Sequence, residues 1–193
     1  MDDLVVYSLW SLSKHRRRRI DMHGVTLIEL MVTLSILAIL IMVAAPGVSQ
    51  FIVSNRLTGQ SNSLFGDLSR ARSEAAARHT SISVCAAATS TTCAAASGTS
   101  WSAGWLVFVD GNADGVLAAS TDILKYVPPL DGSPSVTSAN FTKTGVITYR
   151  PYGGISPSSG GDLTFCVSGY ASGRKISIAA TGRPLIARVN TCP

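Results

Sequence analysis

The hydrophobic pattern of the chain changes twice, and each regime predicts a different element. Residues 25–45, VTLIELMVTLSILAILIMVAA, are almost continuously apolar, with Thr26, Glu29, Thr33 and Ser35 as the polar exceptions among 21 positions. At about 1.5 Å rise per residue, a helix of that length matches a bilayer core of roughly 30 Å. Past Pro46 the apolar positions thin out to Val48, Phe51, Ile52, Leu64, Leu68, Ala71 and Ala75. Their recurrence at three and four predicts an amphipathic helix to about Arg78, weakened locally by Gly59 and Gly66, with Ser61, Asn62 and Ser69 on the other face. From about residue 81 the runs become short and β-branched or aromatic: ISVCA (82–86), GWLVFVD (104–110), ILKYV (123–127), GVITYR (145–150), LTFCV (163–167), KISIAA (175–180) and PLIARV (184–189). Separated by Gly, Pro, Ser and Asn, these read as strands. TSTTCAAASGTS (89–100) and DGSPSVTSAN (131–140) read as loops. The expected class is α+β: a long helix over about 25–78, packed on an antiparallel β-sandwich or sheet.

Composition and charge set the topology. The 193 residues are 46% hydrophobic and 14% charged, which fits one domain with an apolar appendage. Lys14 and Arg16–Arg19 precede the apolar run, and few charges follow it. The positive-inside rule places the N-terminus in the cytoplasm and everything after Pro46 on the far side. The arginine run is therefore a topology signal, not a nucleic-acid site. The four cysteines, at 85, 93, 166 and 192, form no CxxC, and with three histidines they exclude the usual zinc patterns. An even count beyond a membrane segment implies disulfides in an oxidising compartment, with three pairings open.

Glu29 is the anomaly. A carboxylate within a membrane segment costs roughly 2.5–3.5 kcal/mol on insertion scales and marks function. A cleaved secretory signal is a poor fit, because its apolar region runs about 7–15 residues. An uncleaved signal anchor fits the length and leaves Glu29 unexplained. A charge partner from another chain would lower the cost, and cleavage just before Val25 would create one, a free α-amino group.

GVTLIEL (24–30) closely resembles the class III signal of type IV pilins and pseudopilins. The resemblance implies cleavage by a prepilin peptidase between Gly24 and Val25, N-methylation of Val25, and an assembly role for Glu29, which becomes the fifth residue of the mature chain. Pro46 falls where that family often has a proline, which removes a backbone donor and kinks or locally melts the helix. The chain departs from the family in having Val at the first mature position, where Phe or Met is usual. The implied leader, residues 1–24, is long; a start at Met22 would leave it without the arginines. Removing the leader takes away five bases and three acids, so the net charge falls from +5 to +3. The implied parts are then a leader (1–24), a transmembrane and filament-core helix (25–45), an amphipathic half-helix (46–80) and a periplasmic β-rich domain (81–193).

Two further features are similar to the GspH/FimT group of minor pseudopilins: CAAATSTTC followed by SWSAGWLVFVDGNADG, and Cys192 after TGRPLIAR. With this resemblance the expected bridges are Cys85–Cys93, across the short loop, and Cys166–Cys192. The resemblance implies a minor pilin or pseudopilin, a structural and assembly subunit of a type II secretion pseudopilus or type IV pilus. Its partners would be other pilins in a filament tip complex, prepilin peptidase and the inner membrane. It would be a single-pass inner-membrane protein that later enters the filament. FimT-like members bind DNA through a basic C-terminal GRxR-type motif. Here Gly182 and Arg183 are kept, and Leu185 stands where a second Arg is expected.

Two patterns carry candidate chemistry. DGNADG (110–115) places Asp110, Asn112 and Asp114 as in the first half of an EF-hand loop, without a glutamate at the twelfth position, Thr121, and with Asp122 one residue beyond. The same residues also read as a turn closed by Asx hydrogen bonds. No cofactor is required, and calcium is the one ion this loop suggests. From Lys143 to Pro193 six bases face one acid, Asp162. Arg174, Lys175, Arg183 and Arg188, with Tyr149, Tyr152 and Tyr170 near in sequence, are the candidates for a DNA surface. If 184–189 is a strand, Arg188 points away from the face shared by Arg183 and Leu185. An enzyme is not supported: beyond residue 24 the only histidine is His79, and no nucleophile elbow or phosphate loop is present.

Overall fold

The first helix begins at a cap. Thr26 Oγ1 accepts the Glu29 N–H at 3.3 Å, and the Thr26 carbonyl accepts the Leu30 N–H at 3.1 Å. This T-x-x-E spacing is a helix start. Helix α1 runs Leu27–Arg78 and ends where His79 takes a left-handed φ of 52°. The computed structural model describes residues 24–95, 97, 100–157 and 159–192. The arginine run, Met22 and the rest of the leader to residue 23 lie outside the described residues, and so does the side chain of Pro46. The helix is assigned continuously through position 46, so the local melting expected there is not seen.

The chain divides into two units, residues 1–43 and 44–193. Every described residue of the first unit is exposed, although most are Leu, Ile, Val and Met. Its hydroxyls are satisfied locally: Thr33 donates to the Leu30 carbonyl at 2.9 Å and Ser35 to that of Met31 at 2.8 Å. The described helix is long and apolar enough to cross a membrane.

In the second unit α1 buries a stripe of Leu57, Ser61, Leu64, Leu68, Ala71 and Ala75. The alternation of four and three keeps these residues on one helical face. Two sequence expectations are corrected here. Val48, Phe51 and Ile52 are exposed, so the stripe starts at Leu57. Ser61 belongs to the buried face, where its hydroxyl is spent on the Thr58 carbonyl at 3.1 Å.

Nine strands form two antiparallel sheets: β1 Ile82–Ala86, β2 Trp105–Val109, β3 Ile123–Val127, β4 Ser135–Ala139, β5 Val146–Tyr149, β6 Ile155–Ser156, β7 Gly161–Cys166, β8 Gly173–Ile178 and β9 Pro184–Val189. One sheet has the order β3-β2-β1-β5-β6, the other β4-β7-β8-β9. β4 falls inside the stretch 131–140 expected to be a loop. Its alternate residues Val136 and Ser138 are buried while Ser135, Thr137 and Ala139 are exposed, so a polar composition conceals a strand with period two. The two-residue β6 was also unforeseen. The core joins the α1 stripe to Val84, Trp105, Ile147 and Tyr149 of one sheet and to Leu163, Phe165, Ile176 and Ile178 of the other. A smaller cluster of Cys85, Leu106, Phe108 and Val146 lies under Leu117.

One polar group sits inside the helix–sheet contact. Asp67, 5% exposed, accepts the Trp105 indole N–H at 2.8 Å and pairs with Lys125 Nζ at 2.6 and 2.8 Å. Removing one member of a buried pair leaves the other unsatisfied. The Lys125 side chain is 42% exposed, which reduces the effect. Lys125→Met is therefore expected to lower unfolding stability by about 1–3 kcal/mol, measured by denaturant melts against an exposed control such as Arg188→Met.

Candidate functional sites

The N-terminal site is simple in geometry. Gly24 is exposed, and among the described residues a Cβ built on it would meet nothing within 4 Å. Two residues on, Thr26 caps α1, and Glu29 lies in the first turn. A carboxylate there is favoured by the positive end of the helix. Among the described residues no cation lies within ion-pair distance of it.

The basic candidates do not form one patch. Arg174 is turned onto the helix, where Nη2 and Nε donate to Thr58 Oγ1 at 2.8 and 3.2 Å. Lys175 pairs with Asp162 at 3.8 Å, and Ser177 donates to the same carboxylate oxygen at 2.6 Å. The β8–β9 register sets Arg188 opposite Arg174 and Ala187 opposite Lys175. The sheet faces therefore separate Arg174 and Arg188 from Lys175. Arg183 and Arg188 are exposed, and neither has a polar partner among the described residues.

What gathers around Arg183 is a junction of two turns. Gly182 (φ 78°) lies so close to the β5–β6 turn that a Cβ on it would stand 2.2 Å from the Gly153 carbonyl oxygen. Arg72, from α1, donates through Nε to the Gly153 carbonyl at 2.9 Å and through Nη2 to that of Thr181 at 3.4 Å. Tyr152, 79% exposed, stands at this junction beside a cleft of about 300 Å³ that Arg72 also lines. Arg72 carried no sequence signal, because its partners are backbone carbonyls of distant turns. Tyr149, expected to be available for stacking, is fully buried in the core. Burial pushes its hydroxyl pKa well up, against a weaker opposing pull from Arg72.

DGNADG folds as a closed loop. Asp110, 2% exposed, accepts from Ser83 Oγ at 2.6 Å and from the Gly115 N–H at 2.9 Å, both on Oδ2. Ser83 also bonds Thr148 Oγ1 at 2.6 Å, tying the loop to β1 and β5. Asn112 Nδ2 donates to Asp114 Oδ2 at 2.8 Å, and the Val116 N–H to Asp114 Oδ1 at 2.7 Å. Among the described residues no three His, Cys, Asp or Glu side chains converge. The cysteines are paired as Cys85–Cys93 and Cys166–Cys192.

A helix that is bare and apolar over its first part and built into a two-sheet domain over its second is a pilin-like architecture. The chain belongs to the GspH family of type II transport proteins, whose model matches residues 60–182. The prokaryotic N-terminal methylation motif matches residues 21–45. Its fold is similar to that of the type IV minor pilin FimU of Pseudomonas aeruginosa in two crystal forms. One match has 23% identity and a TM-score of 0.55 over 72% of this chain and 96% of that one. The other has 22% identity and a TM-score of 0.52 over 70% and 99%. A search of curated proteins finds no match. The protein is thus a member of the GspH family of type II transport proteins, with a prokaryotic N-terminal methylation motif and a pilin-like fold.

Arg72→Ala removes the common tie of the two turns. It is expected to lower stability by about 1–3 kcal/mol and to raise amide exchange in residues 150–154 and 179–183 above that in β1, measured by hydrogen–deuterium exchange.

Proposed function

We propose that this protein is a filament subunit matured at Gly24–Val25. Prepilin peptidase removes residues 1–24 and methylates Val25, and the carboxylate of Glu29 neutralises the new N-terminal amine of a neighbouring subunit. The subunit enters the membrane as a single pass, with residues 25–45 as the anchor and residues 81–193 in the periplasm. It then joins the tip or initiating complex of a type II secretion pseudopilus or a type IV pilus, with the helix around Pro46 accommodating the transfer. The observation that carries this reading is the exposed apolar stretch 27–43 of α1, with a carboxylate in its first turn that has no cation partner among the described residues. Such a surface needs a lipid or protein surround, and such a carboxylate needs a cation brought by another chain. The family consists of structural subunits, and we assign the protein no catalytic role.

The test is Glu29→Ala expressed in cells that assemble the filament. Its amount in the membrane fraction is expected to match wild type while its amount in sheared filaments falls about tenfold or more, the equivalent of losing at least ~1.4 kcal/mol of subunit docking. Unchanged incorporation would remove Glu29 from the mechanism.

A second reading, uptake of DNA, has one observation in its favour: exposed Arg183 and exposed Tyr152 belong to two turns that meet, so a cation and a stacking face are presented together. Gel shifts of the purified chain with single-stranded and duplex DNA test it. Binding should weaken with salt, and Arg183→Ala and Arg188→Ala should each lower the salt slope by about 1. Absent or salt-insensitive binding rejects this reading and leaves the structural one intact.

A further inference from the structure

Asp110 holds the remaining unexplained polar group of the DGNADG loop. Both bonds that fix its carboxylate fall on Oδ2, one from Ser83 and one from the Gly115 N–H within the loop. Oδ1 is buried and has no hydrogen-bond partner. A carboxylate oxygen taken out of water without a donor is costly, and a cation is what satisfies it. The other oxygens of the loop occupy alternate positions. Asn112 Oδ1 receives only a long contact of 3.4 Å from the Asp114 N–H, and each Asp114 carboxylate oxygen accepts a single bond. A cation already sits at the loop: Lys143 Nζ lies 2.6 Å from the Asp114 carbonyl oxygen.

We propose that this loop binds a calcium ion through Asp110 Oδ1, Asn112 and Asp114, with water completing the shell. All-oxygen donors on a loop that keeps some freedom suit calcium; magnesium demands a near-ideal octahedron and sheds its water reluctantly. Without an acidic residue at Thr121 the site is weak, in the range of roughly 10⁻⁴–10⁻³ M that extracellular modules show. Binding would lock the segment that carries Leu117 over the smaller core cluster. Ser83 and Thr148 would transmit that order to β1 and β5.

The full chain in detergent, melted with and without calcium chloride, tests this. At about ten times the dissociation constant, Tm is expected to rise by roughly 3–6 °C, with magnesium chloride giving little of that rise. Equilibrium dialysis with radioactive calcium should reach about one ion per chain. Asp114→Ala is the decisive variant, because its carboxylate bonds only within the loop. It should fold with a near wild-type Tm in chelator and lose the calcium increment. Lys143→Ala removes the competing ammonium and should bind several-fold more tightly. No increment in the wild-type chain at about 10 mM calcium, an equal increment from magnesium, or a full increment in Asp114→Ala would overturn the proposal.

Discussion

The domain depends on a carboxylate placed where a helix meets a sheet. Asp67 is buried, and among the described residues its oxygens accept from Trp105 of β2 and Lys125 of β3. Apolar packing tolerates small rotations and slides, because dispersion and burial are non-directional. A buried hydrogen-bonded charge does not, since a shift of one residue along α1 would carry it about 100° around the helix and strand it without a donor. The pair is thus a device for register more than a source of net stability, as buried ion pairs often are.

Other polar contacts repeat that device along the helix. Gln60 donates to the Asp131 carbonyl at 2.9 Å, Thr58 receives Arg174, and Arg72 reaches two hairpin turns. Thr58 and Gln60 lie about two to two and a half turns before Asp67 and Arg72 about one and a half turns after it, and each engages a different part of the β-domain. A helix held by one apolar stripe has one degree of freedom too many; held at several heights by directional bonds, it acts as a fixed axis. Residues 24–43, the described part of the first unit, are exposed throughout.

Much of this was legible in the sequence, and the failures share a cause. The strands built from Val, Ile, Phe and Trp announced themselves through composition. β4 did not, because SVTSA satisfies its buried positions with a valine and with Ser138, whose hydroxyl is consumed by the Thr144 carbonyl at 2.6 Å. A hydroxyl on a strand looks the same in sequence as a hydroxyl in a loop. The N-terminal methylation motif was readable because its residues are contiguous and their register is fixed by the chain itself. Which bases of the C-terminal end are already engaged was not readable, because the partner of Arg174 lies 116 residues away, and the turns that Arg72 joins lie 81 and 109 residues from it. Counting charges gives their sum, and only the fold says which of them are already spent.

The Cys166–Cys192 bridge gives β9 an unusual boundary condition. β9 is an edge of its sheet, and an edge strand with a loose end comes off like a zipper, breaking one pair of hydrogen bonds at a time. Here the end beyond Val189 is sewn back to β7 by the sulfurs, while the other end is seated by Gly182 against Gly153. Neither end is available to start the zipper. A force on the domain must instead shear all the β8–β9 bonds together, so this edge strand, with a single neighbour, is hard to pull away.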